Sequence, residues 1–334
     1  MKTLGFLSFG HYQPVPGSRT RTARDALIQT IELAIAAEEI GIGMAAVRVH
    51  HFARQASTPF PLLAAIAART HRIEIGTAVI DMRYENPYAM AEQAAAADLI
   101  SGGRLQLGLS RGSQEVALRG YEAFGHVPAE GTSDADMARH HTAQFRLAIA
   151  GHPIASTDPA AGPSTGLPVE PRSPGLTERI WWGSSTRASA VWTAEHGMNL
   201  MSSTLLSEDT GAPFDEQQRE QIDIYRETWR SAGHERTPRV SVSRSVLPVT
   251  SDEDRLYFGR TADDRDRVGI LNGAISRFGR SYIGEPDVIA KELAADAAVA
   301  AADTLLLTIP NQLGVDHNAR LLQTIVDHVA PYLR

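Results

Sequence analysis

Apolar and polar positions along this chain fall into two registers that take turns. Short continuous apolar runs at Thr3–Phe9, Met44–Val49 and Ile73–Ile80 read as buried strands. Between the first two, Leu27, Ile31, Ala34 and Ile35 recur at helical spacing, which predicts a helix over Ala23–Ile40 that Gly41 stops. Thr58-Pro59 and Asn86-Pro87 each join a capping residue to a proline suited to the first helical position. Helices should open there and run to about Arg69 and Ile100, the second closed by Gly102-Gly103. Arg104–Leu109 is a fourth strand, and helical segments follow near Gln114–Ala123 and Ser133–Ala150.

The rhythm breaks at Gly151–Gly175, which holds six prolines and little apolar content and reads as a long surface loop. It resumes with strands at Glu178–Trp182 and Met198–Ser202 around a helix at Thr186–His196. Asp215–Ser231 is helical and Arg239–Val249 strand-rich, whereas the charged stretch Asp252–Tyr282 has no clear period. Pro286–Val299 reads as a helix, Thr304–Ile309 as the last strand and Asp316–Ala330 as the last helix. About eight strands, each followed by helix, require parallel pairing through crossovers. The expected fold is therefore α/β, a closed (β/α)8 TIM barrel, as a single domain over 1–334 with insertion loops at about 151–178 and 250–282. Chemistry in such a barrel sits on the loops after the C-terminal ends of the strands.

Composition narrows the chemistry. With 32 basic and 39 acidic residues the net charge is −7, the wrong sign for unselective nucleic-acid or anionic-membrane binding. The absence of cysteine excludes disulfides, thiolate nucleophiles and iron–sulfur ligation. No apolar run approaches the roughly 18 residues of a membrane span, and the N-terminal run is too short for a secretory signal. A cytoplasmic enzyme is the expectation. Almost all basic residues are arginine; the lysines are Lys2 and Lys291.

Several motifs carry candidate chemistry. Gly41-Ile42-Gly43-Met44-Ala45-Ala46 fits a dinucleotide pattern, but helix precedes it and strand follows, the reverse of what that fingerprint needs. It reads as a helix stop. Gly108-Leu109-Ser110-Arg111-Gly112 fits the G-x-S-x-G nucleophile elbow, after a strand and before a helix, with Asp303 and His317 downstream in suitable order. A serine hydrolase with Ser110 as nucleophile is one reading. The other is an anion site, in which backbone N–H groups beside Arg111 hold a phosphate.

Trp182-Gly183-Ser184-Ser185-Thr186 is a second strand end turned by glycine into a hydroxyl-capped helix. His50-His51 ends strand two at the catalytic face, and adjacent strand residues face opposite ways, so one imidazole should enter the barrel mouth and the other should not. That argues against a shared metal, and no metal site is expected. His140-His141 reads as a solvated pair on a polar helix, and His11 lacks the H-x-H spacing of a barrel metallohydrolase.

In order and spacing these segments resemble the bacterial luciferase-like, flavin-dependent monooxygenases. The resemblance rests on Ala37-Glu38-Glu39-Ile40-Gly41 leading to Val49-His50-His51-Phe52, on Arg72–Val79, and on Ser101–Gly108 with Ser110-Arg111-Gly112 and Phe124-Gly125. Ile180–Ser185 and Tyr282–Pro286 continue it, and it is weakest in 127–178 and 205–280. It implies a barrel that binds reduced FMN, less often the deazaflavin F420, and uses O2 to oxygenate a small organic substrate. A separate flavin reductase and a homodimer would fit the family.

Residue by residue, it implies His50 as the proton-transfer group, and Arg111, Gly112 and Ser113 as the first phosphate contact. Gly183, Ser185, Thr186 and Ser189 match the second, and Ala78-Val79 a non-prolyl cis peptide beneath the flavin ring. Three departures bear on the substrate. Val49 stands where many members have an acid, Ala46 where a tryptophan is common, and Ser110 where light-emitting members have a reactive cysteine. They argue against luminescence and a long-chain aldehyde. A protein that binds flavin without turning anything over remains an alternative.

Overall fold

The computed structural model describes residues 2–112, 117–162, 165–259, 266–271 and 274–333. Eight parallel strands close on themselves: β1 (Thr3–Ser8), β2 (Met44–Val47), β3 (Glu74–Asp81), β4 (Leu105–Ser110), β5 (Ile180–Ser184), β6 (Asn199–Ser202), β7 (Val240–Pro248) and β8 (Thr304–Thr308). Each pairs in parallel with the next, and β8 returns to β1, so the barrel has no open edge.

The outer ring is α1 (Ala23–Ile40), α2 (Pro59–Ala67), α3 (Pro87–Ser101), α4 (Asp134–Ile149), α5 (Arg187–Glu195), α6 (Phe214–Ser231), α7 (Asp252–Phe258), α8 (Pro286–Ala295), α9 (Ala297–Ala301) and α10 (Gly314–His328). Thr22 and Asp25 form a capping box on α1, and Gly41 ends that helix in the left-handed conformation, so the G-x-G-x-x-A pattern is a helix stop. Asn86 Oδ1 accepts from the N–H groups of Tyr88 and Ala89 and caps α3. Thr58 makes no such bond, although α2 does begin at Pro59.

Four local expectations need correction. The helix expected near Gln114–Ala123 is, over its described part, a short 3-10 turn at Gly120–Phe124. The helix expected over Pro286–Val299 is broken into α8 and α9 by Asp296, which is extended and caps α9 through Val299 N–H at 2.8 Å. The patternless stretch after residue 250 contains α7 and an antiparallel hairpin, Arg267–Leu271 with Ala274–Phe278. His141 is not solvated: its Nδ1 lies 2.8 Å from the Met82 carbonyl oxygen, and burial lowers its pKa.

Inside the barrel, polar side chains close the N-terminal end. Trp181 Nε1 donates to Gln106 Oε1 at 2.8 Å, Gln106 Nε2 donates to Glu74, and Arg239 pairs with Glu74 at 2.7 Å. Above this plug a small apolar layer of Leu7, Met44, Ala46, Met201 and Leu306 forms a floor. Among the described residues, the space inside the barrel lies toward the C-terminal ends of the strands, where the cavity is.

The Asp296 break belongs to a buried network. Arg244 Nε donates to Asp296 at 2.8 Å, Tyr282 Oη donates to the same carboxylate at 2.6 Å, and both ionic side chains are at most 2% exposed. Removing the acid strands a buried guanidinium. Asp296→Ala is expected to cost about 3–5 kcal/mol, read as a lower urea midpoint at unchanged slope. An unchanged midpoint would show that the network is not holding β7 to the helices.

Candidate active site

The mouth of the barrel holds a cavity of about 330 Å³. It is lined by the described residues that the family resemblance points to, His50, Ala78, Val79, Arg111, Gly112, Gly183, Ser185, Thr186 and Ser189, together with Ser110. Ser113 lies outside the described residues. The lining comes from the ends of β1 to β8, the segment after β6 and the N-terminal parts of α4 and α5, so closing the barrel is what assembles it.

One wall depends on a close approach between β3 and β4. A Cβ on Gly108 would sit 2.3 Å from the Thr77 carbonyl oxygen, so only glycine fits there. Thr77 Oγ1 also donates to the Gly108 carbonyl oxygen at 2.8 Å. The strand register shifts between Thr77 and Ile80, and within that shift the Ala78–Val79 peptide is cis, as expected. Val79 thereby joins Leu7, Phe9 and Met201 on the apolar side of the cavity.

Immediately above, the chain turns at Gly112, with φ of +79°. A Cβ there would come within 1.8 Å of Asp81 Oδ2. The backbone is thus pressed against the Asp81–Arg83 ion pair, which is closed at 2.6 Å and extended to Asp134. Gly112 N–H donates to Ser110 Oγ at 2.9 Å, so this amide is used internally rather than aimed at a ligand. Arg111 is exposed at the rim of the cavity.

Across the mouth, Thr186 caps α5, its Oγ1 accepting from Ser189 N–H at 3.2 Å. Ser189 Oγ accepts from Trp182 Nε1 at 3.2 Å, and the hydroxyls of Ser185 and Ser207 share one bond at 3.0 Å. A hydroxyl that accepts still has its own hydrogen to donate, so Thr186 and Ser189 can turn O–H groups toward an anion. The next amide, Arg187 N–H, is taken by Glu208 at 2.8 Å. Arg139 of α4 also lines this side and lies over the Trp192 ring at 5.4 Å. Sequence gave no signal for Arg139, because nothing local marks which face of α4 meets the cavity.

On the opposite side stand His50 and Arg48. The two histidines diverge as alternation requires: His50 faces the cavity, while His51 is buried and stacks on Tyr84 with ring centroids 4.2 Å apart. Arg48 Nε donates to His50 Nε2 at 2.8 Å, and the Arg48 guanidinium lies 5.0 Å over the Phe9 ring. Desolvation first, then the charges of Arg48, His11 and His51, push the His50 pKa down to about 4. The ring is neutral near pH 7. Arg48 was missed from sequence, although its place two residues before His50 on an extended segment puts it on the same face.

The hydrolase triad does not assemble. Asp303 precedes β8 at the closed end of the barrel and accepts from Val240 N–H at 2.8 Å. His317 sits on α10 against Tyr257 and Phe258, outside the cavity lining. Among the described residues Ser110 Oγ makes its hydrogen bond to Gly112 and none to a histidine. With no histidine bonded to it among the described residues, the hydroxyl lacks the activating partner that the triad needs. A fluorophosphonate probe should leave Ser110 unlabelled on the folded protein, and stoichiometric labelling by intact-mass analysis would contradict this geometry.

Residues 3–256 match the family model described as luciferase-like monooxygenase. An uncharacterized protein of Bacillus subtilis, YwcH, is 26% identical over 255 residues, covering 74% of this chain and 70% of that one. Several other curated relatives are matched over about a third of their own length. The FMN-bound oxygenating constituent of 3,6-diketocamphane monooxygenase, from the CAM plasmid of Pseudomonas putida, shares the fold. Its TM-score is 0.72 at 17% identity, with 100% of this chain and 99% of that one covered. An F420-dependent secondary alcohol dehydrogenase, in complex with an F420–acetone adduct, superposes with a TM-score of 0.64 at 17% identity, covering 100% of both. Matched along most of its length, the chain belongs to the luciferase-like monooxygenase family.

Proposed function

We propose that this protein is the oxygenase of a flavin-dependent monooxygenase system, using reduced FMN and O2 to oxygenate a small organic substrate. The observation that carries the reading is the division of one cavity into two chemistries. Arg111, Thr186 and Ser189 form an anion-ready rim, and Val79, Phe9, Leu7 and Met201 form an apolar wall beside the His50 imidazole. A phosphorylated, flat, apolar ring system fits that division.

In this reading Arg111 and the hydroxyls at the start of α5 hold the phosphate, helped by the positive end of that helix. Arg139 adds a second cation on the same side. Ala78 and Val79 would hold the ring, and Gly183 leaves room beside them: a Cβ there would meet Val79 at 3.2 Å. When bound, reduced flavin supplies the two electrons with which one oxygen atom of O2 enters the substrate and the other leaves as water. His50 faces the same space and holds or moves a proton at the reacting oxygen. The apolar wall keeps water from that exchange. A separate reductase would deliver reduced flavin, in keeping with the absence of a nicotinamide fingerprint and with a structural relative described as an oxygenating constituent.

An anaerobic fluorescence titration with FMN and with F420, each oxidised and reduced, tests this. Reduced FMN should bind selectively. Arg111→Ala should weaken it about 10- to 100-fold, the effect of losing a charge-assisted contact. Selective F420 binding would make the protein a deazaflavin oxidoreductase of the same fold, and failure to bind either would contradict the proposal.

A further inference from the structure

The contact between Arg48 and His50 admits one protonation state of the imidazole. Arg48 Nε carries a hydrogen that can only be donated, and it is directed at His50 Nε2 at 2.8 Å. Nε2 must therefore present its lone pair. A neutral imidazole whose Nε2 is a lone pair carries its proton on Nδ1. An imidazolium would set N–H against N–H and place a second positive charge beside the guanidinium.

We propose that Arg48 is a positioning residue that fixes His50 as the neutral Nδ1–H tautomer, so that the ring is neither a cationic acid nor a base at Nε2. This deepens the reading of His50 as the proton-handling group and rests on it.

The surroundings agree. The described groups that act electrostatically on His50 are Arg48, His11 and His51, and each disfavours a positive ring. His51 turns away to stack on Tyr84, and His11 stacks on Phe9 with ring centroids 5.4 Å apart. The Arg48 guanidinium is itself placed by the Phe9 ring beneath it. Asp81, the acid among the described lining residues, is engaged by Arg83. Between Arg48 and His50 stands Val49, which is buried and uncharged. A carboxylate in that neighbourhood would favour the imidazolium; the arginine does the opposite.

The test is nitrogen NMR of the flavin-free protein labelled with 15N-histidine, with His50 assigned by its loss in His50→Gln. At pH 7 the proton is expected on Nδ1 with Nε2 bare, and the ring should not titrate until well below the ordinary histidine value of about 6.5. Arg48→Met should raise the midpoint by about one pH unit or more and let the Nε2–H tautomer appear. Arg48→Lys should keep the low midpoint. If Arg48→Met does not fold, Arg48→Gln removes the charge but keeps an N–H donor, so the Nδ1–H tautomer should persist while the midpoint rises.

A proton on Nε2 at pH 7, an ordinary midpoint in the wild type, or an Arg48→Met spectrum identical to wild type would overturn the proposal. Because no flavin is present, these outcomes leave the cofactor reading standing. Loss of that reading would appear in the FMN titration instead.

Discussion

Everything at the mouth of this barrel depends on how closely β3 and β4 approach. Cβ atoms on Gly76 and Gly108 would come within 2.0 Å and 2.3 Å of carbonyl oxygens on the facing strand, so the backbones meet at a distance no other residue allows. Thr77 ties the pair through its hydroxyl, and above it the register shifts. Val79 is thereby delivered to the cavity wall. Asp81 is delivered to the place where it clamps Arg83 against the Gly112 turn. The apolar wall and the arm that carries Arg111 are consequences of one strand contact.

The cavity then has two ends with opposite tasks. At one end the barrel concentrates donors: guanidinium groups, and hydroxyls that each accept one bond and keep an O–H group to give. At the other it withholds charge, since His50 is desolvated and flanked by Arg48, so its ring stays neutral. Closure of the N-terminal end by Trp181, Gln106, Glu74 and Arg239 leaves the C-terminal mouth as the one route into the barrel among the described residues.

Most of the fold was legible in sequence because it is written locally. Apolar runs marked the strands, and Asn86-Pro87 marked a helix start that the structure closes with two hydrogen bonds. Failures came where a distant partner decides. Apolar spacing runs straight through Asp296, but Arg244 and Tyr282 capture its carboxylate from across the packing interface and break the helix there. The polar look of His140-His141 hid the Met82 carbonyl that engages one ring. G-x-S-x-G described the turn at Ser110 correctly, yet no local pattern could say that Asp303 lies at the opposite end of the barrel. Among site residues, those in turns after strands were found. Arg139 on a helix face was not, and Arg48 was overlooked beside a more conspicuous histidine pair.

The measurement that bears most directly on the central claim is a crystal structure of the protein with reduced FMN. The phosphate is expected between the Arg111 guanidinium and the hydroxyls of Thr186 and Ser189, with the ring against Ala78–Val79 and its reactive edge toward His50. Flavin bound elsewhere would contradict the account. So would flavin bound in the same cavity with its phosphate turned toward Arg48. The apolar groove between α1 and α2, lined by Leu27, Thr30 and Leu62, is the competing cavity large enough to show such an outcome.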